Sequence, residues 1–391
     1  MYNHKNYFTI NLVKKHNNFR RSTINLLPSE NILSPNVLKI LSSDLAGRYS
    51  LKVNDYIHGY FVKNAYGGEE YFEEILEFGT NLAKKIFDVK NAEIRPLSGH
   101  ISAMISMISV MNKKDSYLAI SPENGGYDGY SNGYLPDLLN LNYYEIPFNS
   151  HRWDIDYENL EREAKRIKPK SIILGASYIL FSYDLKYIRD IADINNSYIL
   201  YDASHVMGLI GANKFQSDLM KYVDLLYGST HKSLFGPQGG IILTNNDELY
   251  ENIEKNIVWK TMDNYHLNRV AALVQALEEF HIFRYEYAEN ILKNSLTLGK
   301  YLDEYNLVKK FEGKITESHQ IFLKDPSNCE RFIRSYIITD CVGRLGTNEI
   351  TRLGMVENDV IKLGELMLES LNKNIKDKVI NFRKSFKIKY Y

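Results

Sequence analysis

The chain has 391 residues, 44% of them hydrophobic, with 48 Lys and Arg set against 48 Asp and Glu. That length supports two domains with a sizeable core, and the balanced charge excludes a global field that would recruit nucleic acid or an acidic membrane surface. A small molecule is the expected partner.

The opening MYNHKNYFTINLVKKHNNFRRS mixes polar and apolar residues, which argues against a signal peptide. No run of about twenty apolar residues occurs anywhere, so no membrane span is expected and a soluble chain is. An N-terminal arm over residues 1–85 carries the helix pattern EEYFEEILEFGTNLAKKIF. Residues 86–279 form the expected large domain: NAEIRPLSGHISAMISMISVM reads as strand, turn and helix, and SYLAIS, KSIILGAS, YILYDA, VDLLYG and GGIILT read as further strands. Such alternation implies an α/β domain with a largely parallel sheet. Residues 280–391 form a smaller domain, with a helix through YEYAENILKNSLTLGKYLDEY, short strands and a final helix. Cys329 and Cys341 are the only cysteines and have no metal spacing; they read as two inert thiols without a disulfide framework, pointing to a reducing cytoplasm.

The chemistry concentrates in STHKSLFGPQGG, Ser229 to Gly240, where one lysine sits in a small, glycine-rich loop after the apolar run VDLLYG. Upstream, SYILYDASHV ends a buried strand with Asp202. An amine and a carboxylate at the carboxyl ends of strands flank the crevice of a doubly wound sheet. Pyridoxal 5'-phosphate needs both: an amine to hold its aldehyde, and an acid to keep its ring nitrogen protonated so that the ring withdraws electrons. Taken singly, Lys232 is a solvated loop residue and Asp202 a helix cap, but the ordered pair points to this cofactor. Ser98, Gly99 and His100 lie between a strand and a helix, where free backbone amides and the positive helix end favour the phosphate.

These segments resemble serine hydroxymethyltransferases. Besides STHKSLFGPQGG and YDASHVMGLI, the resemblance rests on LLPSENILSPNVL, AYGGEEYFEE and RLGTNEITRLGM, in the same chain order. It implies a fold type I pyridoxal phosphate enzyme of the aspartate aminotransferase superfamily, with a mostly parallel seven-stranded sheet and a smaller C-terminal α+β domain. It also implies roles. Lys232 holds the cofactor, Asp202 its pyridinium, and Tyr127 stacks on the ring where the family has histidine. Ser177 and His205 reach the phenolic oxygen. Arg352 grips the substrate carboxylate, with Ser29 and Tyr66 as further contacts, and Tyr49 contacts the phosphate. The resemblance implies that both tyrosines cross a dimer interface, so a homodimer with shared sites is the minimum assembly. His231 is the best-placed proton carrier.

Several positions depart from the family. Leu51 in Tyr49-Ser50-Leu51 replaces a carboxylate of folate-dependent transfer, Gln238 stands in place of arginine, and MDNYHLNR, with Asn264 and Tyr265, replaces a glycine-rich loop. LKDPSNCERFIRSYIITD leaves little room for a pteridine-binding turn. The expected activity is therefore aldol or retro-aldol chemistry at the Cα–Cβ bond of a serine- or threonine-type amino acid, independent of tetrahydrofolate. The alternatives are a tetrahydrofolate-dependent serine hydroxymethyltransferase, an aminotransferase or racemase on the same scaffold, and a non-catalytic cofactor-fold protein.

Overall fold

The computed structural model describes residues 7–391. By contacts the chain divides into a larger unit, Ser29–Glu289, and a smaller one made of residues 7–28 with residues 290–390. The N-terminal arm anticipated over residues 1–85 is thus divided at Pro28.

The larger unit is built on a seven-stranded sheet of β1 (Asn91–Glu93), β2 (Ser116–Ala119), β3 (Asn142–Glu145), β4 (Ser171–Leu174), β5 (Tyr198–Asp202), β6 (Leu225–Ser229) and β7 (Gly240–Thr244). Their order is β1-β7-β6-β5-β4-β2-β3. From β3 to β6 every neighbouring pair is parallel, whereas β7 runs antiparallel to both β6 and β1. Ser-Ile-Ile-Leu of β4 and Leu-Leu-Tyr-Gly-Ser of β6 are buried at every position, the pattern of strands covered on both faces. Edge strand β3, Asn-Tyr-Tyr-Glu, is mostly exposed and has no apolar run, so its sequence does not announce it.

Helices follow the same logic. Glu70–Phe87 buries Phe72, Gly79, Leu82, Ala83, Ile86 and Phe87 at helical spacing, carries Glu70 and Glu73 in its first turn and Lys84 and Lys85 in its last, and stops where Asp88 turns left-handed. Gly99–Val110, between β1 and β2, is apolar over most of its surface because it is buried on several sides. The helix anticipated from Tyr285 begins at Leu267 and runs to Glu304. Its earlier part buries Leu267, Val270, Leu273, Ala276, Leu277 and Phe280 at the same period. Residues to Glu289 count with the larger unit.

Chain direction across the sheet reverses between β2 and β4: β3 lies outward on one side, β5 and β6 on the other. The carboxyl ends of β4, β5 and β6 therefore border a crevice of the kind that binds ligands in open α/β sheets. Gly175, just after β4, has φ +101°, and a Cβ there would lie 2.1 Å from the backbone oxygen of Asp202. Only glycine lets the chain pass so close to the end of β5.

The smaller unit mixes helix and strand. Ile24–Asn25 pairs in parallel with Ile337–Ile338, Gln320–Phe322 pairs antiparallel with Arg344–Gly346, and helices Glu357–Ser370 and Lys376–Arg383 follow. Its core gathers Ile24, Leu26, Leu298, Phe332, Leu345 and Leu363. One expectation is corrected here. Cys329 and Cys341, read above as separate thiols, form a disulfide with Cα atoms 5.3 Å apart. Helix Cys329–Arg334 and the turn that ends it, where Ser335 N–H donates to Phe332 O and Tyr336 N–H to Ile333 O, redirect the intervening residues so that the two sulfurs meet. Among the described residues no helix is long and apolar enough to cross a membrane.

Candidate active site

A cavity of about 220 Å³ at the carboxyl ends of β4, β5 and β6 is lined by Gly99, His100, Tyr127, Ala176, Ser177, Asp202, Ser204, Ser229, His205, His231 and Lys232. It gathers most of the residues singled out by sequence. Lys232 lies three residues beyond β6, in a loop held by its own backbone: Thr230 N–H donates to Gly239 O, Gly236 N–H to Thr230 O, and Thr230 Oγ1 to Pro237 O. Ser233 Oγ ties the loop to the segment after β5 by donating to His205 O at 2.6 Å. Asn31 Nδ2 donates to the carbonyl of Lys232 at 2.8 Å and lies equally close to the Tyr287 hydroxyl. The lysine backbone is thus fixed from three directions, which keeps the amine's reach into the cavity constant.

Asp202 closes β5. Its Oδ1 accepts the Ser204 N–H at 2.9 Å, and its Oδ2 accepts the Tyr130 hydroxyl at 2.7 Å. Tyr130 is fully buried and lies 2.8 Å from the Tyr227 hydroxyl. Burial above all, then the charge of Asp202, pushes both phenols well above the ordinary tyrosine range, so both keep their protons.

Ser98 caps the helix Gly99–Val110, its Oγ accepting from Ile101 N–H at 3.1 Å. A Cβ on Gly99 would lie 2.2 Å from Ser229 Oγ and 2.9 Å from Ser229 N. The helix start is therefore pressed against the end of β6, and its first residues, Gly99 and His100, line the cavity. His100 Nδ1 lies 3.0 Å from the Tyr127 hydroxyl, and the Tyr127 ring meets the Tyr130 ring edge-on at 5.4 Å. Burial, then Asp202, raises the Tyr127 phenol, so it too remains protonated at neutral pH. His231 is mostly buried, and its Nδ1 has no hydrogen-bond partner. Burial, then the neighbouring Lys232 charge, pushes its imidazole down to about 4. At neutral pH the ring is uncharged and able to accept a proton.

The donor set fits pyridoxal phosphate: an acceptor carboxylate at one strand end, an amine-bearing loop at the next, a helix N-terminus for a phosphate, and an aromatic face between them. Five predicted residues do not line the cavity; one is Ser98, which caps the helix at its rim. Ser29 belongs to the larger unit without lining the cavity, and Tyr49 and Tyr66 sit side by side on its surface, rings 5.2 Å apart and each 43% exposed. Tyr49 donates to Asp263 Oδ2. Arg352 ends the short helix Asn348–Arg352 of the smaller unit, fully buried, its carbonyl accepting from Lys389 N–H. Sequence reasoning did not single out Asn31, Tyr130, Ser204 or Tyr227. Tyr130, three residues after Tyr127 in the same loop, was the most accessible of these.

Comparison with known proteins shows the family. The family profile for serine hydroxymethyltransferase matches residues 4–325. A serine hydroxymethyltransferase of Archaeoglobus fulgidus is 32% identical, covering 91% of this chain and 84% of the relative. One from Methanobrevibacter smithii is also 32% identical, covering 97% and 94%. One from Korarchaeum cryptofilum is 29% identical, covering 97% and 95%. The chain belongs to the serine hydroxymethyltransferase family, whose members are pyridoxal phosphate-dependent enzymes of the transferase class.

Proposed function

We propose that this member of the serine hydroxymethyltransferase family acts on a β-hydroxy-α-amino acid, breaking or making its Cα–Cβ bond. The observation that carries the reading is the presence of Asp202 and Lys232 in one cavity, at the ends of the paired strands β5 and β6. Bound pyridoxal phosphate supplies an electron-withdrawing ring that stabilises negative charge at the α-carbon.

The remaining work falls to the chain. Lys232 holds the cofactor aldehyde and, once released, is a base beside the α-carbon. Asp202 accepts the ring N–H, and Tyr127 packs on the ring face, held by His100. Ser98, Gly99 and His100 receive the phosphate; Ser177 and His205 face the phenolic oxygen. Neutral His231 takes the proton from the β-hydroxyl as the bond breaks. Arg352 and Ser29 are assigned the substrate carboxylate, a bidentate match of planar fork and planar acid.

Tyr49 and Tyr66 are assigned to the site of a second copy, which makes the working form a homodimer. Their exposure, together with that of Tyr56, Tyr60 and Phe61 on the hairpin Lys52–Ile57/Tyr60–Asn64, supports this assignment, because large aromatics left in water mark protein interfaces. The family's usual habit supports a cytoplasmic setting; the Cys329–Cys341 disulfide removes the support that two reduced thiols would have given.

Leu51, Gln238 and the disulfide-closed segment between Cys329 and Cys341 favour release of the aldehyde without tetrahydrofolate. The relatives' names favour the second reading, transfer of the hydroxymethyl group to tetrahydrofolate. Product analysis with serine and threonine, with and without the folate, separates them. Glycine and aldehyde formed without folate support the first reading, strict folate dependence the second, and glycine under neither condition overturns both.

A further inference from the structure

The carboxylate of Asp202 is the end of a buried chain of hydroxyls that nothing in the reaction scheme uses. Tyr227 lies on β6, Tyr130 in the loop after β2, and Asp202 on β5, yet their oxygens meet in sequence: 2.8 Å from Tyr227 to Tyr130 and 2.7 Å from Tyr130 to Asp202. Both tyrosines are essentially without solvent exposure. The Tyr117 hydroxyl, on β2 itself, donates to the backbone oxygen of Tyr130 and ties the loop back to the strand it leaves.

Counting protons gives the chain a direction. Each phenol has one O–H. Tyr130 donates its hydrogen to Asp202 Oδ2, so the hydrogen between the two phenols belongs to Tyr227. Tyr227 gives to Tyr130, and Tyr130 to Asp202. Ser204 N–H gives to the other carboxylate oxygen. Every hydrogen in the network points toward Asp202, which is left as an acceptor with nothing to donate. Hydrogen bonds polarised in series strengthen one another, most of all where the surroundings are dry.

We propose that Tyr130 and Tyr227 are positioning residues that act through Asp202, holding its carboxylate as an acceptor for the ring nitrogen of pyridoxal phosphate. The inference rests on the cofactor assignment above. The Tyr227 hydroxyl acts only through that of Tyr130, and the Tyr130 hydroxyl only through the carboxylate, so the two substitutions, which keep both rings, cannot be independent. Removing Tyr130's hydroxyl lets the carboxylate rotate and leaves the Tyr227 hydroxyl without its acceptor.

The test uses purified dimeric or monomeric protein as it is obtained, with Tyr130→Phe, Tyr227→Phe and the double variant. The readouts are the visible absorbance of the lysine-bound cofactor and the dissociation constant for pyridoxal phosphate. Tyr130→Phe should weaken binding about tenfold or more, the effect of a lost hydrogen bond to a charged group, and move the absorbance band. Tyr227→Phe should weaken it about threefold alone and not at all in the Tyr130→Phe background. With a cofactor analogue carrying C–H in place of the ring nitrogen, the Tyr130→Phe penalty should vanish.

Equal effects of Tyr227→Phe in both backgrounds, or an undiminished Tyr130→Phe penalty with the analogue, would overturn the relay. Should Tyr130→Phe fail to fold, Tyr227→Phe with the two cofactors reads the same chain one bond further out. A wild-type protein that shows no bound-cofactor band instead sinks the underlying assignment, which keeps the two failures apart.

Discussion

Acidification should destabilise the protein through His231. Burial, followed by the charge on Lys232, pushes this imidazole from its ordinary 6.5 down to about 4. The unfolded chain consequently binds a proton on the ring at a higher pH than the folded chain does. Stability contributed by the neutral ring is complete above 6.5 and is lost as the pH falls through the interval from 6.5 to about 4. Between pH 8 and pH 5 the loss comes to ~2 kcal/mol, roughly a thirtyfold change in the folding equilibrium. Urea unfolding of the wild type and of His231→Gln at both pH values isolates this group, because the other titrating side chains cancel in the difference. The wild type should lose ~2 kcal/mol relative to the variant on going to the lower pH. A difference that does not change with pH would refute the buried, neutral imidazole.

Gly99→Ala should disturb the phosphate cradle, since the new Cβ meets Ser229 Oγ at 2.2 Å and the immovable Ser229 N at 2.9 Å. The expected cost is about 1–3 kcal/mol of stability together with loss of cofactor on gel filtration; full retention of pyridoxal phosphate would contradict the cradle. Replacing Cys329 and Cys341 by serine opens a loop with a sequence separation of 12 and should cost about 2–3 kcal/mol in denaturant unfolding. Adding reductant to the wild type should reproduce the variant, and a wild type indifferent to reductant would show that the bond contributes nothing.

Sequence and structure agree where chemistry is local. Lys232 was legible because an apolar strand passes directly into a polar, glycine-rich loop, and Asp202 because it ends the apolar run of β5. Ser98 and Gly99 were legible for the same reason, standing between a strand and a buried helix. Partners brought in from far along the chain were not. Asn31 meets Lys232 across 201 positions and Tyr130 meets Asp202 across 72, distances over which no local pattern carries information. The disulfide depends on a short helix and the turn after it redirecting the chain between the cysteines, and β3 is an edge strand without the apolar run that marks its neighbours. The start of the helix at Leu267 was hidden because its first turns are buried on more than one side and lack a clean polar face.

The assignment of the cofactor to one lysine is tested most directly by borohydride reduction of the loaded protein, digestion and mass spectrometry. Reduction makes the bond between the amine and the cofactor aldehyde permanent, so the modified residue can be read from the peptide. The pyridoxyl phosphate mass should appear on the peptide containing Lys232 and be absent from Lys232→Ala. An adduct on a different lysine, or none in a protein saturated with the cofactor, would contradict the account.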